Sequence, residues 1–487
     1  MAMIAINNLT FAWEGKAENV FSNESLILDT DWRVGLIGRN GRGKTTLLRL
    51  LAESDSMPHE GTISSPAGFR YFPFVINEPS KNTMDIIDEI CPAREFWELR
   101  REANLLGVSE DVLLRPFDTL SPGERAKTLL ATMFIGGDEF VLLDEPTNHL
   151  DDDGKLSVTN YLRSKKGFIV VSHDRGLLDS VCDHIVSIGK SEVEVMAGNY
   201  STWAEEKIRR DRGSVAENER LRKDVRRMKE AARRAAEWSN KVEGSKYGNG
   251  PVDRGFIGHK SAKLMKRSKA IKARQIEAAA KTRGLLKDID TPGSLKIAPL
   301  AHHSDTLVEI REMEFERLRG KTIDLLVRKG DRIALTGGNG AGKSSVLKAI
   351  VGELAPRAGT VKTASGLVIS YIPQEMAALS GGVRHFARES GIDLTLLLSI
   401  MANLGVPSGE FDADISRFSD GQKRKLLLAK SLCESAHLYL WDEPLNFIDI
   451  ISREQIEDVI LEYAPTMVFV EHDAVFASRV STRAIGI

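Results

Sequence analysis

Cysteine is scarce in this 487-residue sequence: Cys91, Cys182 and Cys433 are scattered, odd in number, and without metal-ligand spacing. That argues against a disulfide framework or a thiolate metal site, and suits idle thiols in a reducing cytosol. Long apolar runs are missing too. No stretch of about 18 apolar residues occurs, so no membrane-spanning helix is expected. The opening MAMIAINNLT has neither a basic nor an apolar leader region, so no secretory signal is expected. Overall charge is only −2, with 28% charged and 42% hydrophobic residues, which excludes wholesale disorder. The expectation is a soluble cytoplasmic protein of about three domains, at roughly 150 residues each.

The near-neutral total hides an asymmetry. Residues 204–290 hold 25 Lys and Arg against 13 Asp and Glu, so the flanking regions are acidic. A basic middle between acidic ends points to a polyanionic partner for the middle, or to a solvated helical face.

An internal repeat organises the chain. GRNGRGKTT (38–46) returns as GGNGAGKSS (337–345), and LSPGE (120–124) as FSDGQ (418–422). VLLDEPTNHLD returns as LYLWDEPLNFID, and VSHD (171–174) as VEHD (470–473). Four motifs recur in one order at offsets of 298–299 residues, which marks a tandem duplication with an inserted middle. The expected domains are 1–203, 204–299 and 300–487. β-like alternation, a strand running into each glycine-rich loop, and apolar runs ending in Asp predict two α/β domains with mostly parallel sheets.

GxxxxGK[ST] occurs twice, at Gly38, Gly43, Lys44 and Thr45, and at Gly337, Gly342, Lys343 and Ser344. Asn40, Gly41 and Thr46, with Asn339, Gly340 and Ser345, complete the two loops. Glycines let backbone N–H groups turn around phosphates, and the following helix N-terminus adds a favourable dipole. Lys44 and Lys343 reach the β/γ-phosphates in such a loop, while Thr45 and Ser344 suit Mg²⁺. Asp144 and Asp442, each ending an apolar run, are candidate Mg²⁺ holders. Glu145 and Glu443 follow immediately, placed to orient or deprotonate a water. His173 and His472 lie 29 and 30 residues past those aspartates, at the ends of further apolar runs.

This motif set resembles the ATP-binding-cassette (ABC) ATPases. The resemblance implies ATP and Mg²⁺ as cofactors, and two cassettes facing head to tail within a monomer. Each signature would then complete the other copy's site. Site one would join Lys44, Thr45, Asp144, Glu145 and His173 to Ser419, Gly421 and Gln422. Site two would join Lys343, Ser344, Gln374, Asp442, Glu443 and His472 to Ser121, Gly123 and Glu124. By the same resemblance Gln374 helps hold the metal, and Trp13 stacks on adenine. Phe74 stands where the second copy has Gln374, and Arg317 where the first has Trp13. Two inequivalent sites are therefore expected.

The middle segment is expected to form two long helices folded back as an antiparallel hairpin. Apolar residues recur at helical spacing in each arm, with a turn-rich SKYGNGPVDRG between them and a tip near 243–258. At 1.5 Å per residue, arms of roughly 35 residues would extend about 50 Å. Two cassettes joined by a basic helical hairpin, entered through GNYSTW, resemble the ABC-F family. The fold class expected is thus α/β, two tandem P-loop ATPase domains joined by a long antiparallel α-helical hairpin linker. The resemblance implies binding at the 70S ribosomal E site against large-subunit rRNA and P-site tRNA, with neither membrane nor DNA as partner. The corresponding contact residues are Arg226, Arg227, Lys241, Lys246, Tyr247, Phe256, Ile257, His259, Lys260, Lys266 and Arg267. The first cassette has no room for an inserted arm, and the chain stops 15 residues after His472. Both features are similar to the antibiotic-resistance subgroup, which acts against lincosamides, pleuromutilins and streptogramin A. A translation factor without a resistance role is the alternative. A transporter ATPase would need no basic hairpin, and a structural-maintenance ATPase would carry its coiled coil inside one cassette.

Overall fold

The computed structural model describes the chain except residues 1, 16–18, 55, 93–94, 138, 149, 190–191, 212, 214–219, 222, 224–225, 228–229, 231–294, 316–321, 339, 375 and 377–378. It divides into two compact units, Met1–Ser201 with Pro292–Ile487, and Thr202–Thr291. In the second unit residues 202–211 are helical.

The first copy runs β1 (Met3–Phe11), β2 (Phe21–Asp29), β3 (Arg33–Gly38), α1 (Lys44–Ala52), β4 (Glu60–Ser64), β5 (Gly68–Phe72), α2 (Thr83–Ile90), α3 (Phe96–Leu105) and α4 (Glu110–Leu114). It continues through α5 (Pro122–Thr132), β6 (Glu139–Asp144), α6 (Asp152–Arg163), β7 (Phe168–Val171), α7 (Arg175–Val181), β8 (His184–Ile188) and β9 (Val193–Ala197). The second copy has β10 (Ala298–Pro299), β11 (Thr306–Glu314), β12 (Ile323–Arg328), β13 (Arg332–Thr336), α8 (Lys343–Val351), β14 (Ala358–Thr363), β15 (Ile369–Ile372), α9 (Val383–Glu389) and α10 (Leu394–Asn403). It ends with α11 (Asp420–Cys433), β16 (Ser435–Ala436), β17 (Leu438–Asp442), α12 (Ile450–Tyr463), β18 (Met467–Val470), α13 (Ala474–Val480) and β19 (Arg483–Gly486).

Each copy packs a small antiparallel sheet, β2-β1-β4 or β12-β11-β14, near a larger one. The larger sheets have the order β5-β6-β7-β3-β8-β9 and β15-β17-β18-β13-β19. All their pairings are parallel except β8 with β9. Buried on both faces, β6 and β17 read as unbroken apolar runs, FVLL and LYLW, for the reason parallel strands generally do. The alternation of β1 changes phase midway: Ile4 and Ile6 are buried, then Leu9 and Phe11. A register shift between Ile6 and Leu9, with Asn8 at φ 52°, inserts the extra residue, as a bulge does. Copy two repeats this between Ile310 and Met313, with Glu312 at φ 48°.

One side of each large sheet is sealed by the phosphate-loop helix. Leu47, Leu48, Leu50 and Leu51 of α1 share a core with Ile4, Leu28, Leu36, Leu142 and Ile169. The second copy matches with Val346, Leu347 and Ile350 of α8 against Ile310, Leu335, Leu440 and Val468. The other side of the second sheet carries α9, α10 and α11 on a core that includes Leu295 and Ile297. Those two residues and β10, which pairs with β16, belong to the second cassette. That cassette therefore begins before residue 300, and the expected linker boundary moves toward the N-terminus.

Candidate functional site

In each cassette three parallel strands end side by side. The loop after β3 leads into α1, β6 ends at Asp144, and β7 ends one residue before Ser172 and His173. Ligands of open α/β sheets bind at such carboxyl ends. The loop closes on a left-handed residue, Gly43 at φ +97°, where a Cβ would meet Val20 Cγ1 at 2.5 Å. Gly342 repeats this at φ +100°. Both positions therefore require glycine.

In site one Lys44 folds back over its own loop, its Nζ donating to Gly38 O at 2.7 Å and lying 3.4 Å from Asn40 Oδ1. Burial lowers its pKa, while Asp449, Glu145 and Asp144 oppose that shift. Thr45 Oγ1 donates to Asp144 Oδ2 at 2.7 Å, and the Tyr71 hydroxyl donates to the same oxygen at 3.2 Å. Burial and the adjacent Asp144 charge push the Tyr71 phenol up to about 12. Glu145 sits at φ 52°, a strained value for a non-glycine residue. His173 N donates to Glu145 Oε2 at 3.3 Å, and His173 Nε2 lies 3.2 Å from Oε1. Burial, reinforced by Lys44, Arg453 and Lys425, lowers the His173 pKa well below its ordinary value. Burial beside Asp144 raises Glu145.

Site two uses the same parts with different wiring. Lys343 Nζ donates to Gly337 O at 2.7 Å and Gly338 O at 3.0 Å. Ser344 Oγ donates to Gln374 Oε1 at 3.2 Å, and Gln374 Nε2 donates to Glu443 Oε1 at 2.8 Å. Asn446 Nδ2 donates to Glu443 Oε2 at 2.9 Å, and His472 Nε2 stands 3.4 Å from Glu443 Oε1. Glu443 again has a left-handed φ, 49°. Burial alone would raise it, but His472, Asn446 and Gln374 together hold its pKa below the ordinary value. Phe74 offers site one no equivalent amide, and the two glutamates shift in opposite directions.

Mg²⁺ can be tested against the side chains. Both carboxylate oxygens of Asp442 are buried without a hydrogen-bond partner, close in sequence and space to the Ser344, Gln374 and Glu443 network. The available donors are oxygens, Asp442 with Ser344 and Gln374, and Asp144 with Thr45. No group of three His, Cys, Asp or Glu able to hold a metal occurs among the described residues. Oxygen donors of this kind suit a hard cation such as Mg²⁺. The residues fit.

Both signature segments fold as helix starts. Ser121 with Glu124, and Ser419 with Gln422, form capping boxes at α5 and α11. The reciprocal S-x-x-E/Q bonds satisfy helix N-terminal donors. Glu124 accepts from Ser121 N and Oγ, both at 2.8 Å, and those bonds lower its pKa. Trp13, 37% exposed, packs edge-on against Phe11 at 5.2 Å. Phe11 pairs with Phe21, whose ring lies 2.9 Å from the Cβ that Gly43 lacks, so this strand pair, rather than Trp13 itself, is what the structure sets against the phosphate loop.

The two copies meet at these sites. Asn40 in the first phosphate loop donates its side-chain N–H to Phe447 O at 2.7 Å and its backbone N–H to Asp449 Oδ2 at 3.2 Å. Arg453 donates to His173 O at 3.2 Å, and Lys155 donates to His472 O at 3.3 Å. Each copy thus holds the backbone of the other's strand-end histidine. A buried ion cluster lies on one side only. Arg175 pairs with Glu457 and, at 3.4 Å, with Asp473, while Tyr200 donates to Glu454 at 2.7 Å. Ala474 occupies the matching place of Arg175, so the cluster has no twin among the described residues.

Sequence spacing did not point to Tyr71, Asn446, Phe447, Asp449, Lys155 or Arg453. The shared DEPxNxxD run held the signal for Asn446 and Asp449, since both copies keep those two residues, while Phe447 stands where the first copy has His149. Asn339, Arg317, Lys241, Lys246, Tyr247, Phe256, Ile257, His259, Lys260, Lys266 and Arg267 lie outside the described residues. Arg226 and Arg227 are exposed residues on helical backbone, and Arg226 pairs with Glu230 at 3.0 Å.

Duplicated phosphate loops, strand-end Asp-Glu pairs and contacts crossing between copies define a tandem P-loop ATPase. The family model described as ABC transporter matches residues 21–148 and 321–446, and the chain belongs to that ATP-binding-cassette family. It is an ATP hydrolase whose two cassettes bind ATP. The chain is 27% identical over 93% of its length, and 74% of the relative's, to the probable ATP-binding protein YheS of Escherichia coli K12. It is 26% identical to the ribosome protection protein VmlR of Bacillus subtilis, covering 98% of this chain and 85% of that one. Among solved structures, the archaeal ribosome recycling factor aABCE1, in complex with stalk protein aP1, superposes with TM-score 0.62 at 19% identity. That superposition covers 98% of this chain and 87% of that one, and shows a shared fold. No helix among the described residues is long and apolar enough to cross a membrane.

Proposed function

We propose that this chain is a cytoplasmic ribosome-bound ABC-F ATPase, a monomer that engages the E site with both cassettes closed. Its linker would then reach P-site tRNA and rRNA and displace antibiotics from the peptidyl-transferase centre. The observation that carries this reading is the joining of two ATPase cassettes by an 87-residue segment with nearly twice as many basic as acidic residues. A basic face of that kind binds nucleic-acid phosphate with strong salt dependence. Full-length similarity to a ribosome protection protein supports the resistance branch, with lincosamides, pleuromutilins and streptogramin A as expected drugs. The second reading is a translation factor without a resistance role, and similarity to proteins named for ATP binding alone is compatible with it.

In this mechanism the loop N–H groups with Lys44 and Lys343 bind the phosphates, and Trp13 stacks on one adenine. Thr45 and Asp144, and Ser344, Gln374 and Asp442, hold Mg²⁺, which neutralises phosphate charge when bound. Glu145 and Glu443 orient the attacking water and take its proton, with His173 and His472 positioning them. Ser419, Gly421 and Gln422 complete site one from the opposite copy, and Ser121, Gly123 and Glu124 complete site two. Closure brings these groups together, and hydrolysis releases the ribosome.

The test is a Glu145→Gln/Glu443→Gln double variant spun through sucrose with 70S ribosomes, with and without ATP. ATP-dependent co-sedimentation is expected. ATP binding without co-sedimentation would refute the ribosome reading. Loss of susceptibility to the three drug classes on expression separates the resistance reading from the translation-factor one.

A further inference from the structure

A lysine outside every assigned motif stands at the seam between the copies. Lys425 lies in α11, three residues beyond the signature Gln422, and is 4% exposed. Its ammonium has no hydrogen bond or ion pair with any described residue. The carboxylates whose charge acts on it, Asp449 and Glu410, are hydrogen-bonded elsewhere. Asp449 accepts from Ser452 N at 2.9 Å, Ser452 Oγ at 3.1 Å and Asn40 N at 3.2 Å, and Glu410 accepts from Gln422.

The direction of the side chain is set by Gly405. A methyl placed there would lie 3.7 Å from Lys425 Nζ and 3.3 Å from Asn40 O, a carbonyl of the other copy's phosphate loop. Lys425 therefore reaches across the seam toward site one. Burial, reinforced by the Lys44 charge and opposed by Asp449, pulls its pKa down to about 8. Its charge is also felt at His173, the residue beside Glu145, which marks the hydrolytic end of the site. A second buried ammonium close enough to feel the Lys44 charge, beside a loop built for phosphate, is costly without an anion to share.

We propose that Lys425 is a ligand of the terminal phosphate of ATP in site one, supplied in trans by the second copy and left without an anionic partner until the nucleotide arrives. The proposal rests on the reading of residues 38–45 as an ATP site. Lys425 then joins Lys44 in clamping the transferring phosphoryl group from opposite sides, which lets site one tell ATP from ADP.

The experiment uses the full chain with site two silenced by Lys343→Ala, and measures binding of a fluorescent ATP analogue and its displacement by ATP and ADP. Adding Lys425→Gln is expected to weaken ATP at least tenfold and ADP less than twofold, while Lys425→Arg keeps most of the ATP affinity. Equal weakening of both nucleotides, or none of either, would overturn the proposal. If Lys343→Ala alone binds no nucleotide and Lys44→Ala changes nothing, the ATP-site reading itself fails instead. Lys425→Met controls for folding. It removes a buried charge and should preserve the melting temperature while losing the same ATP affinity as Lys425→Gln.

Discussion

Replacing Arg175 with alanine should loosen the seam between the cassettes. The guanidinium is 5% exposed and Glu457 is fully buried, and they bond through both Arg175 Nη atoms, with Nη1 to Glu457 Oε2 at 3.2 Å. Asp473 loses one of its two arginines, and Glu457 keeps Arg479 Nη1 at 2.7 Å. Removing one partner of a buried pair costs about 3–5 kcal/mol because the remaining charge is left desolvated. Arg479 stays bonded to Glu457, so the lower end, about 3 kcal/mol, applies. With unfolding entropy near 2.1 cal/mol/K per residue over a cassette unit of about 400 residues, the calorimetric midpoint falls by about 4 °C. Arg175→Met with Glu457→Gln should recover most of this, since a neutral pair carries no stranded charge. Arg311→Ala, which breaks an exposed pair with Glu309, should shift the midpoint by 1 °C or less. If Arg175→Ala moves the midpoint no further than Arg311→Ala, the cluster is not what holds the seam, and the argument fails.

The same cluster sets an acid response. Burial alone would raise Asp473, but Arg453 and Arg175 hold its pKa below the ordinary value. Its stabilisation is therefore present above the unfolded carboxyl pKa, about 4, and is lost as pH falls through the lower folded value. Acid titration of Arg175→Ala should show unfolding at higher pH than wild type, and superimposable curves would contradict this. Gln374→Ala removes the donor to Glu443 and the partner of Ser344, so steady-state ATPase from site two, isolated by Lys44→Ala, should fall at least tenfold. Unchanged turnover would show that Asn446 and His472 suffice. Gly43→Ala places a methyl 2.5 Å from Val20 Cγ1 at φ +97°, so nucleotide binding at site one should be abolished while site two persists. Reversing charge at Arg226, Arg227, Lys266 and Arg267 should weaken ribosome binding and flatten its salt dependence, with basal ATPase unchanged. Salt-independent binding equal to wild type would remove the linker as the contact surface.

The local chemistry was legible in the residues themselves. A glycine-rich loop needs left-handed backbone, so Gly43 and Gly342 announce it, and a buried parallel strand needs an unbroken apolar run, so FVLL and LYLW mark β6 and β17. Because these demands act over a few neighbouring residues, spacing alone placed Lys44, Asp144, Glu145 and their repeats. The duplication then implied two α/β cassettes, and the loss of one glutamine implied that they differ. Only the tertiary structure decided which groups meet across the seam. Asn40 meets Asp449, Arg175 meets Glu457 and Lys425 faces the first phosphate loop over sequence separations of nearly 300 residues or more, and no periodicity records such a meeting. Ion pairs and desolvation depend on distance and burial in space. The unequal environments of Glu145 and Glu443, and the one-sided cluster at Arg175, follow from how the two copies pack.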